Sequence, residues 1–407
     1  MNTFTHIIKR TWVVVLTLLL LWVIPSTLQR LLEEKAYYPF TYFSSIRKEF
    51  CTTEIISKNN VERRDESGNT YTTAQFDSIM PLFYYRQLLS KGTMPDSING
   101  YPVSIRSIRT NGFFLRVNSS AIDKPEIPLY PLMEVYTGRM KLEMPDDLFR
   151  ITNGLEFVDL ATNKVNREKS EKFAKALDKY GIQYPVKHCY GNPTTRKSYD
   201  EGYFIQDANN HLFHLKMVNS KPFVREVKSV ENISIRYFKM YEVGNRSFYG
   251  FLFDEENNVY LLTTDHYKLK KLPFKYDQTQ EELLIMANPI YWTVQITNKK
   301  GRFYHAVDAH SLKVVHHIEQ AYELDTWDKF APILFPFTLK FEKYNSEYKY
   351  PRITLGSVWC IMIGAILALI TLIIDIRKNR RKLWLKYIWI LTTGIAGYIS
   401  LFLLKRL

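Results

Sequence analysis

Gly202-Tyr-Phe-Ile-Gln-Asp207-Ala-Asn-Asn210-His-Leu-Phe213 and Gly250-Phe-Leu-Phe-Asp254-Glu-Glu-Asn257-Asn-Val-Tyr-Leu261 repeat one local pattern: an apolar run, an acidic turn with two asparagines, and a second apolar run. Alternating aromatic and β-branched residues around such turns mark half-buried strands joined as hairpins. Asn and Gly suit these turns because the central residues need positive φ. Related turns stand at Glu66-Ser67-Gly68-Asn69, Thr110-Asn111-Gly112, Thr152-Asn153-Gly154, Ala208-Asn209-Asn210, Glu256-Asn257-Asn258 and Lys299-Lys300-Gly301, at intervals of 42 to 56 residues. Intervals of that size belong to propeller blades of four strands each. The expected fold is a mainly β domain with five or six propeller-like repeats between about Tyr37 and Gln320. An irregular β-sandwich or stacked hairpins is the alternative.

Two helical insertions interrupt this pattern. Thr72 to Gly92 opens like a capping box and ends on glycine, with Pro81 as a kink or a second start. Glu168 to Tyr180 places Phe173, Ala176, Leu177 and Tyr180 on one face and reads as an insertion carried by one repeat.

Outside the β region, apolar runs extend from Trp12 to Ile24, Ile353 to Ile374 and Tyr387 to Leu404. A hydrocarbon core takes about 20 residues of helix, so these are three candidate transmembrane helices. Lys9 and Arg10 precede the first, and Arg377, Lys378, Arg380, Arg381, Lys382 and Lys386 lie between the second and third. Basic flanks are retained on the cytoplasmic side, which places the large domain outside and the C-terminus, with Lys405 and Arg406, outside as well. The expected division is an anchor in 1–29, an exported domain in 30–350 and a helical hairpin in 351–407. A cleaved signal peptide is the rival reading of the first run, but Ile24-Pro25-Ser26-Thr27-Leu28 has no small-residue cleavage pattern. Gly364 and Ala368 in one helix, and Gly394 and Gly397 in the other, would let backbones approach closely. Phe335, Phe337, Phe341 and Tyr344 would rest at the lipid interface.

Formal net charge is +14, yet the basic residues flanking the spans, less Asp375, account for nine of these charges. The remaining excess of about five over the exported part is no nucleic-acid footprint, and the flanking charges suit anionic lipid heads. Three cysteines are too few for a disulfide framework; Cys51 and Cys189 are the pair available in an oxidising compartment.

No nucleophile elbow, zinc-protease helix or phosphate-binding glycine loop is present, and neither catalytic residues nor a cofactor are expected. His211 and His214 fall on opposite faces of a strand, as do His316 and His317, and only a turn would bring His305 to Asp308 or His310, so no metal site is assigned. The acidic turns lack the full spacing of a calcium loop and read as Asx turns. The most unusual polar segment is His188 to Gly202. Within it Tyr190, Asn192, Arg196, Lys197, Tyr199 and Asp200 are the candidate ligand- or partner-binding residues, two cations between aromatic anchors. A second candidate is Tyr84-Tyr85-Arg86 with the Lys91 to Asp96 loop.

Met80-Pro-Leu-Phe-Tyr-Tyr-Arg-Gln-Leu-Leu89, Gly92-Thr-Met-Pro-Asp-Ser-Ile-Asn-Gly100, Gly191-Asn-Pro-Thr-Thr-Arg-Lys197 and Asp200-Glu-Gly-Tyr-Phe204 resemble an uncharacterised membrane-anchored family of Gram-negative bacteria. The resemblance covers most of the chain and carries no established chemistry. It implies an accessory envelope role beside ABC-type transporter components, with a permease and an ATPase as partners. The expected function is therefore an inner-membrane protein whose periplasmic domain binds a ligand or partner. An envelope sensor and a metal-dependent hydrolase using the His305 to His317 region are the alternatives.

Overall fold

The computed structural model describes residues 3–32, 39–57, 60–118, 122, 127–136, 138, 141–298, 300–321, 326–343, 349–378 and 384–404. Tyr37, Lys299, Tyr344, the loop residues Arg380, Arg381 and Lys382, and the terminal Lys405 and Arg406 lie outside them. The chain forms two compact units, one of residues 39–321 and one of 1–38 with 322–407.

In the first unit, β1 (Phe40–Phe43), β2 (Phe50–Ser57) and β3 (Asn60–Asp65) form an antiparallel meander, here the first sheet. Helix α1 (Thr73–Ile79) follows, its capping box made by Thr72 and Gln75; Pro81 separates it from α2 (Tyr85–Ser90), which ends at Gly92 with φ +64°. A short hairpin, β4 (Ser97–Ile98) and β5 (Tyr101–Pro102), leads to α3 (Ile105–Asn111) and β6 (Phe113–Asn118). The second sheet is β7 (Asp147–Ile151), β8 (Leu155–Asp159) and β9 (Val165–Asn166), with α4 (Arg167–Asp178) against it. Three antiparallel sheets then follow in chain order: β10 (His188–Gly191), β11 (Tyr203–Gln206), β12 (Leu212–Val218), β13 (Lys221–Glu226); β14 (Ile235–Met240), β15 (Phe248–Asp254), β16 (Asn258–Thr263), β17 (Leu269–Lys275); and β18 (Glu282–Ala287), β19 (Tyr291–Thr297), β20 (Gly301–Asp308), β21 (Val314–Ala321). Strand β6 returns to pair with β18, from Phe113 opposite Ala287 to Asn118 opposite Glu282, and makes the last sheet five-stranded.

Apolar side chains pack the sheets face on face. Phe149, Phe157, Phe213 and Leu215 join the second sheet to the third. Phe204, Phe238 and Leu252 join the third to the fourth, and Phe113, Phe251, Phe253 and Val294 join the fourth to the fifth. Phe43, Phe50 and Tyr304 join the fifth to the first. A strand covered on both faces need not alternate. Accordingly β11 and β15 are buried throughout, whereas β21 alternates between exposed and half-buried positions. Among the described residues these small antiparallel sheets form no closed barrel.

The acidic turns hold the hairpins. Asp207 Oδ1 accepts from the amides of Asn209 and His211, both at 2.9 Å, and Asp254 Oδ1 from those of Glu256 and Asn258 at 2.9 and 2.8 Å. Asn210 and Asn257 take the positive φ these turns require, +69° and +66°. Asp65, Asp159 and Asp308 accept backbone amides in the same way in the first, second and fifth sheets.

Two sequence expectations change in this unit. Thr110-Asn111-Gly112 is the end of a helix and not a hairpin turn: Ser104 caps α3 by accepting the Ser107 amide at 3.0 Å, and the Gly112 amide closes it on Ile108 O at 2.9 Å. The Glu168 to Tyr180 helix is part of the core. Phe173 meets the Phe157 ring at 4.9 Å, and Ser170 Oγ accepts the Phe157 amide at 2.8 Å, while Tyr180 is exposed.

In the second unit, three helices among the described residues are long and apolar enough to cross a membrane: α5 (Thr3–Leu32), α7 (Cys360–Arg377) and α8 (Trp384–Leu404). Between α5 and α7 in the chain lie α6 (Thr326–Leu334) and the hairpin of β22 (Phe337–Lys343) with β23 (Lys349–Leu355). Ile353 to Leu355 thus belongs to a strand, and the helix begins only at Cys360. Gly356 stands between them, where a Cβ would lie 2.0 Å from Phe335 O. Gly364 has the expected close approach, since a Cβ there would lie 2.7 Å from Leu391 O. Gly394 bends α8 at φ +60°. A hydroxyl pair, Thr17 with Ser400 at 2.7 Å, ties α5 to α8, and Trp389 Nε1 donates to Thr17 at 3.3 Å. Trp327, Ala331 and Phe335 pack on Ile24 and Leu28. The three cysteines are buried free thiols, and Cys51 and Cys189 lie in separate clusters.

Candidate functional site

The Gly191 to Gly202 segment links β10 to β11, and of the six singled-out side chains, five in this segment and Tyr190 in β10, all but Arg196 point inward. Lys197 Nζ binds Asp200 Oδ1 at 2.5 Å, Glu242 Oε1, and Asn192 O at 2.7 Å. Asn192 Nδ2 donates to Glu242 Oε2 at 2.6 Å. Tyr199 is buried and donates to Val243 O at 2.6 Å, while the Arg246 guanidinium lies 4.1 Å from its ring centroid. Tyr190 is buried in β10 and donates to Gln206 Oε1 at 3.0 Å. Arg196 alone of the six faces solvent. The loop is thereby fastened to the stretch just after β14, through a cation enclosed by two carboxylates. Burial pushes the Asp200 carboxyl up to about 6, against the pull of Lys197.

Beside this cluster His214 is fully buried, its ring stacked on Phe204 at 4.3 Å. Its Nε2 lies 2.6 Å from Glu201 O, an acceptor, so that nitrogen carries the proton; Nδ1 then accepts from the Tyr267 hydroxyl at 2.8 Å. Burial pushes its pKa down to about 3, and the nearby Lys216 adds to the shift. Glu242, Glu201 and His214 complete the cluster; Glu201 lies within the His188 to Gly202 segment, whereas no local motif in the sequence marks Glu242 as a member.

The other site is a pocket of about 380 Å³ beside β6 and β18. Phe114 and Met286 come from those strands, Tyr42 from β1, Met80 and Phe83 from the turn around Pro81, and Arg109 from α3. Tyr85 also lines it. Its hydroxyl accepts from Arg86 Nε at 3.3 Å, and the Arg86 and Arg109 guanidiniums beside it hold its pKa below the ordinary tyrosine value. Tyr84-Tyr85-Arg86 in the sequence pointed toward this place; Arg109 carried no such signal.

Histidines elsewhere have separate partners. His316 meets Glu66 at 2.9 Å, His310 stacks on Tyr101 at 5.4 Å, and His305 lies 6.4 Å from His317. No group of three or more His, Cys, Asp or Glu suited to a metal ion occurs among the described residues.

Antiparallel sheets with a pocket lined largely by apolar side chains, and three helices long and apolar enough to cross a membrane, define a mainly β protein with candidate membrane spans. The chain belongs to the DUF4857 family, a domain of unknown function whose model matches residues 40–307. No curated protein matches the chain. Among solved structures it is similar to PorZ, a bacterial surface component of the type-IX secretion system of Porphyromonas gingivalis, at 9% identity and a TM-score of 0.23, covering 70% of this chain and 32% of that one. It is also similar to the dihydro-heme d1 dehydrogenase NirN, at 8% identity and a TM-score of 0.12, covering 62% of this chain and 84% of that one. The chain thus spans about a third of the length of PorZ. Both likenesses are too weak to carry fold or function across.

Proposed function

We propose that this protein is an inner-membrane binding protein of the Gram-negative envelope and an accessory subunit of an ABC-type transport system. In this reading the three apolar helices cross the membrane, and the basic residues beside them keep the N-terminus and the α7–α8 loop cytoplasmic. The sheets form a propeller-like domain on the periplasmic side. The stacking of successive antiparallel sheets, with an early strand completing the last one, supports that arrangement.

The observation that carries the reading is the pocket. It is concave, walled by aromatic and aliphatic side chains and served by one guanidinium, the composition of a small-molecule site. Arg196, exposed on its tethered loop, is the residue through which that loop would meet a protein partner.

The test is mild in-cell crosslinking, solubilisation and identification of every protein that co-purifies with the full-length chain. A permease with its ATPase is the expected catch. Recovery of the protein alone from several detergents would contradict the transporter assignment.

A further inference from the structure

We infer that the pocket takes a small carboxylic acid with an aryl or short alkyl body, its carboxylate held by Arg109 and its body enclosed by Tyr42, Met80, Phe83, Phe114 and Met286. The inference rests on the reading of the sheet domain as a binding module, and it adds the ligand class.

The volume lies near the lower end of the range for ligand sites, roughly 300–1,000 Å³, which selects a small body. The walls are sulfur, ring and aliphatic surface, and the Tyr42 and Phe83 rings meet at 4.1 Å, tilted by 40° to each other. Phe83 and Phe114 are about half exposed, at 47% and 56%. Large rings in that state beside a concavity form a rim that an apolar body would cover. Charge gives the sign of the ligand's head. No carboxylate lines the pocket among the described residues, while Arg109 does, and Arg86 converges with it on the Tyr85 hydroxyl. A guanidinium presents paired N–H groups that match a carboxylate, which is why arginine serves this recognition better than lysine. Neutral polar ligands would leave that fork without its best acceptor. The backbone around the site is fixed: the Asn288 side chain accepts the amides of Ile290 and Tyr291 at 2.9 and 2.8 Å, and Thr293 Oγ1 accepts the Phe43 amide at 3.0 Å. The Asn288 Oδ1 and Thr293 Oγ1 acceptors are thereby occupied by the protein, and Arg109 is the ionised group lining the pocket.

Isothermal titration of the full-length protein in phosphatidylcholine nanodiscs tests this, with 4-phenylbutyrate and the matching alcohol 4-phenylbutanol as probes. The wild type should bind the acid about tenfold more tightly than the alcohol, the size of one charge-assisted contact. Arg109→Gln should bring the acid down to the level of the alcohol. Phe114→Ala, at an exposed rim position, should weaken both probes alike. Equal binding of acid and alcohol by the wild type, undiminished acid binding by Arg109→Gln, or no binding of either probe would overturn the inference. The co-purification result is independent of these arms, so failure here leaves the transporter assignment to be judged on its own.

Discussion

The cluster around Lys197 and the pocket around Arg109 both set a cation against apolar surroundings, and they are built in opposite ways. Lys197 is closed over by Asp200, Glu242 and a backbone carbonyl, with its side chain 8% exposed. Arg109 faces a cavity whose described lining holds no carboxylate. A buried cation whose bonds are all made inside the protein acts on the fold, whereas a cation left open beside a concavity is available to a ligand. The difference follows from the chain around each residue. Lys197 and Asp200 sit three apart in a loop that passes Glu242, while Arg109 lies in the last turn of α3, which ends at Asn111, and lines the pocket.

Removing the enclosed cation should have the largest effect. Lys197→Ala leaves two carboxylates buried without a counter-charge and should cost about 3–5 kcal/mol in denaturant unfolding. The triple change Lys197→Met, Asp200→Asn, Glu242→Gln should recover most of that loss. A single variant as stable as the wild type would erase the contrast between the two sites.

Loss of one hairpin carboxylate should come next. Asp254→Ala strands the amides of Glu256 and Asn258 and the Tyr260 hydroxyl, and should cost about 1–3 kcal/mol by the same measurement. Burial pushes this carboxyl up, but its hydrogen bonds, led by Asn258, outweigh that and hold it below the usual range. The bonds made to its ionised form are what the substitution removes.

The pH response is smaller and carries a sign. His214, pushed down to about 3, contributes stability that is present above its unfolded value of 6.5 and is lost as pH falls through that value toward 3. Asp200, raised from 3.8 to about 6, contributes stability when protonated, and that contribution is lost as pH rises from 3.8 through 6. From pH 7 to 5 the first effect removes about 2 kcal/mol and the second returns about 1. Wild-type stability should therefore fall over this step, with the depressed His188 and His305 acting in the same direction, and His214→Gln should make the fall shallower. Chemical unfolding at the two pH values checks this; an unchanged slope in the variant would show that His214 is not the titrating group.

Much of this was legible in the sequence where the signal is local. The capping box at Thr72, the break at Pro81, the hairpins at Asp207 and Asp254, and three membrane-length apolar helices all follow from neighbours a few residues apart. Ile353 to Leu355 misled because a buried or lipid-facing helix and a strand are equally apolar, and only the backbone approach at Gly356 separates β23 from α7. Thr110-Asn111-Gly112 misled because Asn-Gly ends helices as well as turning hairpins. The pairing of β6 with β18, and the pocket beside them, join residues more than 160 positions apart, which periodicity does not register. Glu242 escaped notice for the same reason: its partner Lys197 lies 45 residues away.

The most direct measurement is the thermal unfolding of Arg109→Gln in nanodiscs, with and without 4-phenylbutyrate, beside the wild type. Removing an open cation should leave the midpoint of the free protein within the spread of surface substitutions, about 0.5 kcal/mol, while the rise induced by the acid in the wild type is lost. A lowered midpoint in the free variant, or a ligand-induced rise that survives the substitution, would contradict the division between a cation that holds the fold and a cation that binds.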